Sequence, residues 1–214
     1  MYSVLNEIID SRAILKHSGG SIIFEEPEET ALLKKVSFNL THFHRGNGGL
    51  IKNAIVLNSD NNQNNNLSRF CFYLDNDCPN ISRQCDYIIF HCHNGKTNVI
   101  LCELKSSDTS QDEAARIHNQ FIFSQLFAEY LLSIAKERAK QKNAALINAD
   151  TVVHKVALVH MPNVASPAPL GVPPMNTPND IDVQESKGIK NIFLQTNSSG
   201  HTSLQWRKFM EAVV

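Results

Sequence analysis

The chain has 214 residues, of which 42% are hydrophobic and 19% charged, with a formal net charge of −1 and a pI near 6.7. That is the balance of an ordinary globular domain, not the strongly basic footprint of a general nucleic-acid binder. No apolar run approaches the roughly 20 residues of a membrane span. The N-terminus carries acids where a signal peptide would be basic, so a cytoplasmic protein with no membrane contact is expected.

In chain order, residues 2–16 place Val4, Leu5, Ile8, Ile9, Ala13 and Leu15 at helical spacing, which predicts an amphipathic helix. A short strand follows at 21–24. Pro27 with the segment after it reads as a second helix or helical turn. Residues 35–57 read as β structure interrupted by Arg45-Gly-Asn-Gly-Gly49, and 58–66 as a polar loop with nothing to bury. A strand at 69–74 and a turn-rich connector at 75–84 lead to two strands around Asn94-Gly95. One long helix spans roughly 106–142, with Ser110 and Glu113 as a capping box and basic residues at its far end. Residues 151–161 form a buried strand, and 162–180, with six prolines, a long loop. A strand at 189–196 and a helix over 203–214 close the chain. The expected fold class is α/β: one domain over 1–214, a mixed central β-sheet flanked by helices, its core at about 84–160.

The cysteines Cys71, Cys78, Cys85 and Cys92 recur every seven residues and Cys102 follows, but no closely spaced pair of a structural zinc site is present. Reduced thiols are the expectation for a cytoplasmic chain.

The segment Cys85–Lys105 carries the chemistry. Asn94-Gly95 favours a two-residue type I′ turn, and centring the hairpin there puts Asp86 opposite Glu103. Period-two alternation then sends Asp86, Glu103 and Lys105 to one face, with Ile88, Phe90, Cys92, Thr97, Val99 and Leu101. Tyr87, Ile89, His91, Asn98, Ile100, Cys102 and Leu104 take the other. Both faces are largely apolar, which predicts central strands covered on both sides. Opposed carboxylates lie about 5 Å apart at Cβ and raise each other's pKa unless a cation neutralises them. Lys105 offsets part of this, and a hard divalent ion such as Mg²⁺ would do so better. The competing reading is a solvated hairpin end with a weak Asp86–Lys105 surface bridge.

These residues resemble the PD-(D/E)XK nuclease superfamily, which has a restriction-endonuclease-like fold. The matching parts are Asp86 on one strand, Glu103-Leu104-Lys105 on the next, and a following helix bearing Gln120. The match covers about 84–130, and Cys85 stands where the family often has proline before the aspartate. The resemblance implies a metal-dependent nuclease acting on nucleic acid, DNA in the first instance. Asp86, Glu103 and the Leu104 backbone carbonyl would bind Mg²⁺ or Mn²⁺, Lys105 would assist the attacking water, and Gln120 would support the site. Members often carry a further glutamate on an early helix, for which Glu7, Glu28 and Glu29 are candidates and Glu29 the favourite. The resemblance also implies a homo-oligomer or a partner subunit such as an ATPase, as in restriction or anti-phage defence systems. A non-catalytic assembly protein and an RNA-cleaving nuclease are the alternatives.

Other constellations compete. His91 and His93 lie on one strand and, with His42 and His44, would make a second metal site on the face away from Asp86. Lys136, Arg138, Lys140 and Lys142 would meet a phosphate backbone or merely complement the helix dipole.

Overall fold

The protein is described by a computed structural model covering residues 1–59, 84–93, 95–106, 111–142, 150–161 and 181–214, with only the backbone of 93 and 111–115. The expected strand at 69–74, the Ser110 cap and the loops at 60–66 and 162–180 lie outside the described residues, as do Cys71 and Cys78.

Helix α1 spans Tyr2–Ile8, half the expected length. It ends because Ile9 turns extended and the Asp10 carboxylate takes both the backbone N–H (2.9 Å) and the guanidinium of Arg12, closing a tight turn. Ile14 then bridges to Leu57 as extended chain. Strands β1 (Ser21–Glu25) and β2 (Lys35–Asn39) form an antiparallel pair. The segment between them is a loop with one turn, closed by Ala31 N–H to the Glu28 carbonyl at 3.1 Å, and not a helix. Lys34 and Lys35 N–H both donate to the Gly200 carbonyl, which draws this stretch out into extended chain.

Strand β3 (Ala54–Asn58) follows two short 3-10 turns at His42–His44 and Asn47–Gly49. Next come β4 (Tyr87–His93), β5 (Lys96–Lys105), helix α2 (Gln111–Gln141) and β6 (Thr151–Met161). The chain finishes with β7 (Asp182–Ser186), β8 (Ile189–Gln195), β9 (His201–Gln205) and α3 (Trp206–Val213). Strand β7 is exposed throughout and polar, so it offers no hydrophobic pattern to read. The terminal helix starts three residues later than the sequence suggests, because Ser203–Gln205 pair in parallel with β2.

Among the described residues the strands make two sheets: a six-stranded mixed sheet, β3-β4-β5-β6-β8-β7, and a three-stranded one, β1-β2-β9. In the large sheet β5, β6 and β8 are parallel, and β3, β4 and β7 run against their neighbours. The architecture is therefore α/β, with a mixed sheet flanked by helices on one face. The other face is covered by the small sheet and α3. The β4–β5 register pairs Tyr87 with Cys102 and His93 with Lys96, as the Asn94-Gly95 turn requires, and Gly95 adopts φ 74°.

Both faces of the hairpin are buried, with the expected partition. Ile88, Phe90, Val99 and Leu101 pack with Ile117, Phe121, Ala128 and Leu132 of α2 and with Val4 and Leu5 of α1. Tyr87, Ile89, Ile100, Cys102 and Leu104 pack with Phe24, Phe38, Trp206 and Phe209. Each buried large apolar side chain contributes about 1.5–3 kcal/mol, so these two layers hold the central strands rigid. Among the described residues no helix is long and apolar enough to cross a membrane.

Candidate active site

Asp86 directly precedes β4, at the end where the parallel strands β5, β6 and β8 finish. The chain is fixed there from three sides. Ser59 N–H donates to the Asp86 carbonyl (2.9 Å), and Ser59 Oγ bonds the Cys85 carbonyl. Cys85 N–H donates to the fully buried Ser124 Oγ of α2 (2.8 Å), tying the strand entrance to the helix.

The register places Asp86 against Glu103, and their polar groups interlock. Asp86 N–H donates to Glu103 Oε2 (3.1 Å), and Leu104 N–H donates to Asp86 Oδ2 (2.6 Å). A strand residue's N–H and C=O leave on the same side, so the Leu104 carbonyl faces the Asp86 edge as well. Lys105 Nζ lies 2.9 Å from Glu103 Oε1. Glu103 is only 3% exposed and Lys105 6%, while Asp86 is half-buried. This is a sequestered pair and not the solvated hairpin end that was the competing reading.

Gln120 joins the cluster from α2. Its Nε2 donates to the Gln84 carbonyl (3.2 Å), and its amide helps hold the Glu103 pKa down. Among the described residues the buried Oε1 atoms of Gln84 and Gln120 have no hydrogen-bond partner. Orphaned buried acceptors are costly and mark a place where a water or cation belongs.

The electrostatics follow from this geometry. Burial first, and then the negative charge of Glu103, push the Asp86 carboxyl well above its usual value, and Glu26 adds to the push. Burial raises Glu103 as well, opposed by the charge and hydrogen bond of Lys105. Two carboxyls held close with pKa values displaced upward occur at functional sites and in structural ion-pair networks alike. Burying an ion pair seldom gains stability for its own sake.

Glu26, whose charge also acts on Asp86, is a neighbour of the site that sequence reasoning missed. It follows β1, whose end is clamped by Tyr87: the Tyr87 hydroxyl accepts from Glu25 N–H (2.7 Å) and donates to the Glu25 carbonyl (3.1 Å). Tyr87 also stacks on Phe24 at 3.8 Å between centroids, so the residue after Asp86 carries the end of β1, and Glu26 with it, to the site. No local pattern signals this, because it depends on the small sheet docking on the large one. The three earlier candidates lie elsewhere. Glu7 pairs with Arg138 (2.8 Å) and Lys142 on the α1–α2 surface. Glu28 is exposed and bonds Thr30. Glu29 is exposed and lines a separate pocket.

Among the described residues the competing clusters do not assemble a metal centre. His42, His44 and His91 line a cleft of about 910 Å³ with Lys52, Trp206 and Arg207, on the face away from Asp86. The His93 side chain lies outside the described residues. Among the described residues no three His, Cys, Asp or Glu side chains come together to hold a metal, at this cleft or elsewhere. Of the basic residues at the end of α2, Arg138 and Lys142 are paired with Glu7, and Lys140 with Glu137. Cys85, Cys92 and Cys102 are free thiols.

A divalent cation is tested by the donor set itself. Asp86 and Glu103 supply two carboxylates, and the Leu104 carbonyl faces the same edge. Mg²⁺ asks for one or two carboxylates and fills its remaining positions with water and phosphate oxygens, so this donor set fits it. Compared with protein-family models, curated proteins and solved structures, the chain gives no significant match.

Proposed function

We propose that the protein is a Mg²⁺- or Mn²⁺-dependent nuclease of the PD-(D/E)XK type, of restriction-endonuclease-like fold, that hydrolyses phosphodiester bonds in DNA. The observation that carries this reading is the interlocked Asp86–Glu103 pair, with Lys105 on Glu103 and Gln120 reaching it from α2. Asp86, Glu103 and the Leu104 carbonyl would hold the cation, which when bound would lower the pKa of a water and neutralise phosphate oxygens. The residues of the chain do the rest. Lys105, buried and fixed by Glu103, presents a positive charge to the negative charge that develops on the phosphoryl group. Gln120 favours the charged form of Glu103. The apolar layers on both faces of β4 and β5 exclude bulk water from behind the carboxylates, which strengthens every charge interaction among them.

The proposed biological setting is an effector subunit of a restriction or anti-phage defence system, working as an oligomer or with a partner such as an ATPase. An exposed apolar stripe on α2, Ile122, Leu126, Tyr130 and Ile134 at four-residue spacing, supports association. The second reading is a non-catalytic assembly protein of the same fold. It is favoured by the Lys105–Glu103 bridge, which already neutralises one of the two carboxylates.

Wild type, Glu103→Gln and Lys105→Ala proteins incubated with Mg²⁺ on plasmid DNA and on RNA separate these readings. The nuclease reading expects metal-dependent cleavage by wild type, reduced at least 100-fold in both variants. Equal cleavage by all three would remove the site assignment. Cleavage of RNA alone would move the substrate. A wild type inert on both would leave the assembly reading standing.

A further inference from the structure

A second polar pocket lies on the same edge of the large sheet, on the face away from α2. It has a volume of about 370 Å³ and is lined by the β1–β2 loop (Glu29 to Lys34), His160 at the end of β6, and the β8–β9 turn from Thr196 to Gly200. Its place relative to the candidate active site follows from the strand register. Lys105 pairs with Val159, so His160 is the next residue along the neighbouring strand. Met161 pairs with Gln195, so Thr196 begins just beyond. Adjacent strands are about 4.8 Å apart, which sets the pocket one to two strand spacings, roughly 5–10 Å, to the side of the Lys105 backbone. The β1–β2 loop spans the two places. It starts at Glu26, whose charge acts on Asp86, and its Leu32 N–H donates to Ser106 Oγ (2.8 Å) before it reaches Lys34.

Among the described residues the pocket gathers several donors for an anion, with Glu29 the one acid on its wall. Lys34 is half-buried, and its ammonium makes no ion pair or hydrogen bond with a described residue, Glu29 included. His160 is oriented by its Nδ1 contact with Thr196 Oγ1 at 3.1 Å. Ser198 and Ser199 add exposed hydroxyls. The Asn197 carboxamide oxygen accepts the N–H groups of Ser199 and His201 (3.0 Å each) and so holds the turn in shape. The wall behind Lys34 admits no side chain. Gly200 adopts φ 75°, and a Cβ there would come within 2.6 Å of the Leu32 carbonyl. Ligands of open sheets bind outside the carboxyl ends of the strands, where this pocket opens.

We propose that this pocket is a phosphodiester subsite: Lys34, with His160 and the Ser198 and Ser199 hydroxyls, binds a backbone phosphate neighbouring the one presented to Asp86, Glu103 and Lys105. The inference rests on the nuclease reading above and names how its substrate is held. A backbone carries one negative charge per nucleotide. A strand crossing the edge of the sheet therefore places a second phosphate beside the active one, and a lysine there fixes its path without reading sequence. A free phosphate ion has the same chemistry, and the experiment separates the two.

The test is fluorescence-anisotropy titration of labelled single-stranded and duplex oligonucleotides. Ca²⁺ replaces Mg²⁺, and wild type, Lys34→Gln, Lys34→Arg and Lys187→Gln are compared at several salt concentrations. Lys187 is an exposed control on the β7–β8 turn. The subsite predicts that Lys34→Gln weakens binding about fivefold and lowers the slope of log affinity against log salt by about one. Lys34→Arg keeps wild-type affinity, and Lys187→Gln changes nothing. Wild-type binding left untouched by Lys34→Gln would overturn the subsite while the nuclease reading stood. If inorganic phosphate shifted His160 NMR resonances in a Lys34-dependent way while oligonucleotide affinity stayed the same, the pocket would be a free-anion site and the proposal would fail. A wild type that neither bound nor cleaved nucleic acid would remove both readings together.

Discussion

Asp86→Asn tests the central geometry without presupposing a substrate. The substitution keeps the shape and the acceptor for Leu104 N–H but removes one of two opposed negative charges. Two carboxylates about 5 Å apart repel by about 3 kcal/mol at an effective dielectric constant near 20. Lys105, bridged to Glu103, also attracts Asp86 and offsets part of this. The net repulsion removed is then on the order of 1 kcal/mol. Lost strength in the Leu104 hydrogen bond and relief from desolvating a carboxylate act in opposite directions and offset in part. In a chain of this size 1 kcal/mol moves Tm by about 2–4 °C. Without divalent cation at pH 8, Asp86→Asn is expected to melt about 2–4 °C above wild type.

The pH dependence has a definite sign. Asp86 and Glu103 have folded pKa values raised above the unfolded ones, so folding favours their protonated forms. Their contribution to stability is greatest below the unfolded carboxyl pKa and is lost as pH rises through the raised folded values. Wild-type Tm should fall over that window, and the fall should be shallower in Asp86→Asn. Mg²⁺ supplies the complementary measurement. At ten times a millimolar Kd it stabilises wild type by about 1.4 kcal/mol, or about 3–6 °C, and leaves Asp86→Asn unmoved. Differential scanning fluorimetry across pH and Mg²⁺ reads all of this. A variant less stable than wild type at pH 8, or one that keeps the full Mg²⁺ shift, would refute the reasoning.

Two further predictions concern what positions the site. Ser124→Ala leaves the buried Cys85 N–H without an acceptor and should cost about 1–3 kcal/mol, measured by urea unfolding; no change would mean that α2 does not anchor the strand entrance. Tyr87→Phe removes the hydroxyl that clamps both polar groups of Glu25, at a cost of about 1–2 kcal/mol. Hydrogen exchange should then quicken at Glu25 and Glu26 while β4 and β5 stay protected, and unchanged exchange would show that the small sheet is held by stacking on Phe24 alone.

The hairpin register, the split of its side chains between two buried layers and the convergence of Asp86, Glu103 and Lys105 all follow from local rules. A two-residue turn at Asn94-Gly95 and period-two alternation decide which side chain meets which, whatever the rest of the chain does. Strand β6 and helix α2 also form where the sequence places them, although only Val156 to Val159 of the expected buried strand are buried. The early helix came out short because Asp10 and Arg12 close a turn that outweighs helical spacing at Ala13 and Leu15. Strands β7 and β9 carry no apolar alternation, and they exist because β8 and β2 offer them hydrogen-bonding edges. Glu26 comes within electrostatic reach of Asp86 by the same logic. Its position comes from Phe24 and Glu25 docking on Tyr87, a contact 62 residues away in the chain. The Lys34–His160 pocket likewise exists only where the two sheets meet. Sequence fixes contacts whose partners are set by a turn or a repeat, and contacts between layers wait for the layers to pack.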